Sequence, residues 1–90
     1  MKKETEEKVC LPVVHLNGTS RETLYEGYNR AYEALRLFER ELGETVFHAR
    51  DYYPKGETAW EEARAQRHEV HLKLKDIKEY LKAFVNHLYE

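Results

Sequence analysis

The feature that most constrains the fold is a pair of apolar heptad seams, separated by a polar connecting segment. In the first seam, spacings of three and four residues join Leu24, Tyr28, Ala31, Leu35, Phe38 and Leu42. The second seam carries Trp60, Ala63, Arg67, Val70, Leu74, Ile77, Leu81, Phe84 and Leu88. Such spacing is typical of two long helices that pack along one stripe. The chain is therefore predicted to be all-α, an antiparallel two-helix hairpin.

Capping signals predict where each helix begins. Thr19 and Glu22 have the spacing of a capping box, in which two side chains satisfy free backbone N–H groups, and Thr58 and Glu61 repeat it. Gly43 is the expected end of the first helix. The predicted single domain, residues 1–90, consists of a flexible tail (1–8), an extended arm (9–18), helix 1 (19–43), a loop (44–57) and helix 2 (58–89).

The extended N-terminal arm contains the apolar run VCLPVVHL, in which Pro12 argues against a helix. If the two seams start together at the loop, Leu35 lies near Arg67 and Leu24 lies near Ile77. The last turns of helix 2 would then project beyond helix 1, and we expect the arm to cover them. The predicted contacts join Leu11, Val14 and Leu16 to Leu81, Phe84, Val85 and Leu88.

The size and polarity of the chain predict self-association. A chain of 90 residues, 36% of them charged, has little material for a core, and a chain this short buries only about 60 to 65% of its unfolded surface. A second copy would bury more apolar area. We expect a homo-oligomeric helical bundle.

The charge balance and the single cysteine limit the classes of partner. The formal net charge of −2 is unfavourable for binding a long nucleic acid or a membrane surface, because both require a basic face. Cys10 is the only cysteine, which excludes an intrachain disulfide and suits a reducing cytoplasm. No run approaches the roughly 18 apolar residues that a membrane span needs.

The motif HLNGTS is the first candidate site. Its hydrogen-bonding groups precede a predicted helix N-terminus, where free backbone N–H groups favour an anion. In the alternative interpretation, the motif is only a turn followed by a helix cap. The candidate ligand-binding residues are His15, Asn17, Gly18, Thr19 and Ser20.

The motif RDYYP in the long loop is the second candidate site. Arg50 is suited to a phosphate, and Tyr52 or Tyr53 is suited to stacking on a planar ring. The alternative is that Asp51 pairs with Arg50 while the tyrosines seal the loop onto the helices. A loop this long for a helical hairpin favours a functional role.

One face of helix 2 extends the second site. Trp60, Arg64 and Arg67 follow at helical spacing, so they could stack on a ring and neutralise a phosphate. Alternatively, the two arginines pair with acidic residues across the seam, the candidates being Glu33, Glu39 and Asp51. The sequence contains no constellation for catalysis, a metal or another cofactor, so we expect a protein that is not an enzyme.

The two motifs are predicted to lie about 30 to 35 Å apart in one subunit, because helix 1 separates them at 1.5 Å per residue. An antiparallel dimer would bring the HLNGTS motif of one chain beside the RDYYP loop of the other. A site that uses both motifs is therefore expected to be shared between subunits.

The segments LPVVHLNGTS and ARDYYPKG, followed by Trp60, resemble a family of short, uncharacterised bacteriophage proteins with the same two motifs and two helices. In scale and type, the chain is also similar to phage anti-defence proteins, called sponges, that sequester nucleotide signals. The resemblance implies a protein of the host cytoplasm that sequesters a nucleotide-like signalling molecule. The alternative is a non-enzymatic module that binds a host or phage protein.

Overall fold

Two long helices form an antiparallel hairpin. The computed structural model describes residues 9–89, in which α1 spans Arg21–Glu44 and α2 spans Ala59–Leu88. Two short 3₁₀ turns, Ala49–Asp51 and Tyr53–Lys55, lie between them. The predicted all-α class is confirmed, and the flexible tail predicted at 1–8 lies outside the described residues.

The core is small and lies toward the C-terminal half of α2. Among the described residues, the buried apolar side chains are Leu74, Ala83, Phe84 and Leu88. The Tyr28 ring of α1 stacks on Phe84, with ring centroids 4.2 Å apart. No residue of α1 itself is buried, so this helix covers α2 without being covered on its other sides.

The observed register of the two helices differs from the predicted one by about ten residues along α2. Tyr28 lies against Phe84, and Glu39 forms an ion pair with Lys78 at 2.8 Å. Leu24 is therefore level with the end of α2 rather than with Ile77. The prediction was wrong because the loop does not reverse the chain directly after α1. It first continues along α2, so the first turns of α2 are the ones that project past α1.

The N-terminal arm packs beside the last turns of α2, as expected, but with fewer contacts. The imidazole Nε2 of His87 donates a hydrogen bond to the Pro12 carbonyl at 2.9 Å. Ala83, one turn earlier on α2, is 2% exposed. Leu16, however, is 98% exposed and Val14 is exposed as well, so the prediction that both cover α2 was wrong. The chain already turns away at Leu16, toward the start of α1.

Both predicted capping boxes were wrong in detail. Ser20, not Thr19, caps α1, because its hydroxyl accepts a hydrogen bond from the Thr23 N–H at 3.1 Å. At α2, Thr58 is the N-cap residue as predicted, but its hydroxyl donates to the Glu62 carboxylate at 3.1 Å and makes no bond to the backbone. In α1, the capping residue lies one position later than predicted. In α2, the carboxylate partner of the capping residue lies one position later than predicted.

The end of α1 also differs from the prediction. The helix runs through Gly43 to Glu44, and Thr45 ends it by donating from its hydroxyl to the Glu41 carbonyl at 2.9 Å. Gly43 is an ordinary helical residue. Among the described residues, positive φ occurs at Gly56, where φ is 128° and the loop turns into α2.

Candidate functional site

The HLNGTS motif forms a tight turn beside the start of α1. The Gly18 N–H donates to the His15 carbonyl at 3.1 Å. The His15 ring folds over the glycine so closely that a Cβ at position 18 would lie 2.7 Å from its Nε2. A larger residue at position 18 would therefore displace the His15 ring, which is exposed and can move aside. Asn17 and Thr19 are exposed beside this turn.

Ser20 uses its side chain within the motif. Its hydroxyl accepts from the Thr23 N–H and donates to the Thr23 hydroxyl at 2.9 Å. These bonds are those of a helix cap, which satisfies one of the free N–H groups at the helix start. The turn and cap explain Gly18 and Ser20, while the side chains of His15, Asn17 and Thr19 remain exposed.

At the other end of the hairpin, three aromatic rings seal the loop onto α2. The Phe47 centroid is 4.8 Å from that of Trp60 and 5.8 Å from that of Tyr52, and Tyr52 is 5.6 Å from Trp60. Each of the three residues is half-buried. We call this set the aromatic cluster. Tyr52 therefore seals the loop onto α2, as the alternative interpretation of the RDYYP motif proposed. Tyr53, by contrast, points outward and is 67% exposed.

Two arginines of α2 contact the aromatic cluster. The guanidinium carbon of Arg67 lies 4.1 Å from the centre of the Phe47 ring, and that of Arg64 lies 5.9 Å from the Trp60 ring. Arg67 is half-buried, and a cation over an aromatic face is attracted by the electron density of the ring. This contact supplies the stabilisation that a charged residue in the seam requires.

Neither arginine makes the ion pair that the alternative interpretation expected. Glu39 pairs with Lys78, and Glu33 pairs with Arg36 at 3.5 Å. Within residues 9–89, no carboxylate comes within ion-pair distance of Arg67. Its guanidinium therefore keeps its N–H donors available at the surface of the aromatic cluster.

An open groove of about 220 Å³ lies beside Arg67. We call it the Arg67 groove. It combines ring faces, one amide and one cation, and is lined by Phe47, Tyr52, Ala63, Gln66, Arg67 and Val70. A second groove, of about 120 Å³, shares Tyr52, Ala63 and Gln66 with the first and includes Lys55 and Glu62. A planar anion of modest size is the kind of molecule that these walls suit.

The structure brings some of the predicted site residues together and separates others. Tyr52 and Arg67 line the Arg67 groove, whereas Trp60 packs against Tyr52 outside the groove lining and Arg64 contacts Trp60. Arg50 and Asp51 are exposed on the first 3₁₀ turn, where the Arg50 N–H donates to Nδ1 of His48 at 3.0 Å. The HLNGTS residues lie at the far end of α1, about 36 Å of helix away.

Four residues that line the groove were not among the predicted site residues: Phe47 as a ring platform, Ala63, Gln66 and Val70. The three α2 residues follow one another at spacings of three and four, so the signal was present in the helical period. This signal was overlooked because the neighbouring face, which carries Trp60, Arg64 and Arg67, has more aromatic and charged side chains. Only the packing of Phe47 shows that the groove opens on the neighbouring face.

Comparison with known proteins supplies no relative. No family model, no curated protein and no solved structure matches the chain. Among the described residues, no three His, Cys, Asp or Glu side chains converge as a metal site would require, and no helix is long and apolar enough to cross a membrane.

Proposed function

We propose that this protein binds and sequesters a small, anionic, nucleotide-like molecule without converting it. The observation that carries the proposal is the position of Arg67. Its guanidinium lies on the Phe47 ring at the edge of a groove, within residues 9–89 has no carboxylate partner, and faces the Tyr52 side of the loop. Such an arginine is already ordered, so little side-chain entropy is lost when it binds a phosphate.

The groove would divide the ligand between two kinds of contact. Arg67 would donate two parallel hydrogen bonds to a phosphate, and Gln66 would bond a polar edge of the ligand. Tyr52 or Phe47 would stack on a planar ring, a contact worth about 1 to 3 kcal/mol for a base. Arg50 and Tyr53, both exposed on the loop, are available to close over the bound molecule.

The proposed site is shared between subunits of a homo-oligomer. The exposed His15, Asn17 and Thr19 lie at the opposite end of α1 from the Arg67 groove, so they can join it only from another copy. The similarity in scale and type to phage anti-defence sponges extends this proposal to sequestration of a defence signal in the host cytoplasm. In that role, one tight site per chain is sufficient and turnover is unnecessary.

Calorimetric titration tests the proposal, with cyclic dinucleotides and ADP-ribose derivatives as probes. Binding by the natural protein and its loss in Arg67→Gln is the expected result. Arg64→Gln is the matched control, because Arg64 contacts Trp60 outside the groove and should keep its affinity within about threefold. No heat with any probe at high protein concentration, or equal loss in both variants, would refute the proposed site.

A second candidate function is a module that binds a host or phage protein through its helices. The observation in its favour is that α1 has no buried residue, which leaves much of a long helix open to a partner. Mass spectrometry of the protein purified from cells separates the two functions. A sequestering protein carries a small molecule with it, whereas a docking module does not.

A further inference from the structure

We infer that the open face of α1 binds a second copy of this chain, antiparallel, about a two-fold axis near Ala34 and Leu35. The α1 face lies beside the α1–α2 contact and carries small or apolar side chains. At 100° per residue they fall within a sector of about 80°. These residues are Thr23, Gly27, Ala31, Ala34 and Phe38.

The α1 face contains a groove that needs a side chain to fill it. The groove, of about 260 Å³, is lined by Thr23, Leu24, Gly27, Tyr28, Ala31 and Leu81. A cavity of about 150 Å³ already admits benzene, so this groove has room for a phenyl ring. Phe38 lies further along the same face and is 49% exposed. One copy therefore presents both a hole and a ring, at different ends of one face.

Side-chain size along the face is complementary to itself when the copies run antiparallel. Small residues occupy its N-terminal half, Phe38 occupies its C-terminal half, and Leu42 lies at its edge beside α2. With the axis near Ala34 and Leu35, Phe38 lies opposite Ala31 of the partner subunit. Leu42 then lies opposite Gly27 of the partner subunit. Large residues meet small ones twice by symmetry, which is the condition for close packing.

Charge along the edge of the face selects the same alignment. Arg30 and Glu41 are both exposed and flank the face on its outer side. About the same axis, Arg30 lies within about 3 Å, measured along the helix, of the level of Glu41 of the partner subunit, and the pair occurs twice. In a parallel alignment, each of these residues would instead meet a like charge. Opposite charges across an interface fix its register, while like charges disfavour the alternative.

The same alignment explains how the two distant motifs can meet. The start of α1 extends past the end of the partner's α1, to the level of the partner's first 3₁₀ turn. Thr19 and Asn17 would then lie near the loop that carries Arg50 and Tyr53 in the other chain. This consequence for the ligand rests on the proposed function, whereas the dimer itself requires no ligand and is tested without one.

Sedimentation equilibrium of the full chain, without ligand, tests the inference. The expected result is a dimer of twice the 10.8 kDa chain mass. Arg30→Glu or Glu41→Arg alone should weaken dimerisation about 5- to 30-fold, because two contacts become repulsive. The double variant should restore it. A monomeric natural protein, or a double variant no tighter than the singles, would overturn the alignment, and circular dichroism confirms that the exposed substitutions leave the helices intact.

Cysteine cross-linking locates the face independently. In a Cys10→Ser background, Ala34→Cys should oxidise rapidly to a cross-linked dimer, because position 34 lies near the two-fold axis. Arg40→Cys, on the opposite side of α1, is the matched control and should stay largely monomeric. Equal cross-linking of both variants would overturn the assigned face. Because a monomer retains the Arg67 groove, its ligand titration still tests the proposed function separately.

Discussion

The contact between Arg67 and Phe47 predicts a measurable coupling in the stability of the protein. Arg67→Met keeps an unbranched apolar stem but removes the guanidinium and its charge. Phe47→Leu keeps an apolar side chain but removes the ring, including its contacts with Trp60 at 4.8 Å and Tyr52 at 5.8 Å. Each single variant loses several interactions, so only the double-mutant cycle isolates the contact between the two residues.

The expected coupling free energy is about 1 kcal/mol. An exposed cation over an aromatic ring contributes about 0.5 to 1 kcal/mol, and a desolvated one about 2 kcal/mol. Arg67 is half-buried and its guanidinium carbon lies 4.1 Å from the ring centre, which places it between these limits. Phe47→Leu should in addition lose about 1 to 2 kcal/mol from its other ring contacts.

Urea unfolding followed by far-ultraviolet circular dichroism measures the cycle. All four proteins are compared at one fixed concentration, because self-association adds to the apparent free energy of unfolding. In the control cycle, Arg64 is mutated in place of Arg67, since Arg64 contacts Trp60 rather than Phe47. Its coupling with Phe47 should be below about 0.3 kcal/mol. A coupling this small for Arg67 itself would refute the stacked guanidinium and the preordered site built on it.

Three further predictions concern the ends of the helices and the core. Because Ser20 is the cap of α1, Ser20→Ala should lower the free energy of unfolding by about 1 kcal/mol. Thr19→Ala should leave it nearly unchanged. Equal losses for the two variants in urea unfolding would contradict this assignment. Gly56→Ala should lower the free energy of unfolding by about 1 to 2 kcal/mol, because φ is 128° there. Gly43→Ala, within α1, should raise it by about 0.5 kcal/mol. The urea midpoints of the two variants should therefore move in opposite directions. Leu88→Ala should cost about 2 to 4 kcal/mol, since the side chain is 1% exposed, and a thermal midpoint within about 2 °C of the natural protein would exclude it from the core.

The helices were predictable because their signals are local. Residues from Leu24 to Leu42 and from Trp60 to Leu88 repeat at the helical period, and both predicted spans agree with α1 and α2 to within two residues. The caps were less predictable, since Thr19 and Ser20 are both good capping residues. Which one bonds the first turn depends on how the preceding chain arrives. That path includes the turn in which the Gly18 N–H donates to the His15 carbonyl.

The candidate site was predictable in composition but not in arrangement. Tyr52 and Arg67 were recognised because aromatic and cationic residues stand out in a polar chain. The decisive partner, Phe47, reads as a loop residue that docks on the helices, and its position over Arg67 requires the loop to run back along α2. That path depends on the whole segment 45–58 and not on any one motif.

The sequence by itself determined the class of structure: two amphipathic helices, an antiparallel hairpin, an extended arm and a thin core. These follow from periodicity, proline placement and composition, each of which acts over a few residues. Only the tertiary structure decided the register, because seams that repeat every three to four residues pack equally well after a shift of whole turns. The aromatic cluster stabilises one of these shifts. That choice buries Phe84 against Tyr28 and leaves Arg67 at an open groove, at the far end of the hairpin from HLNGTS.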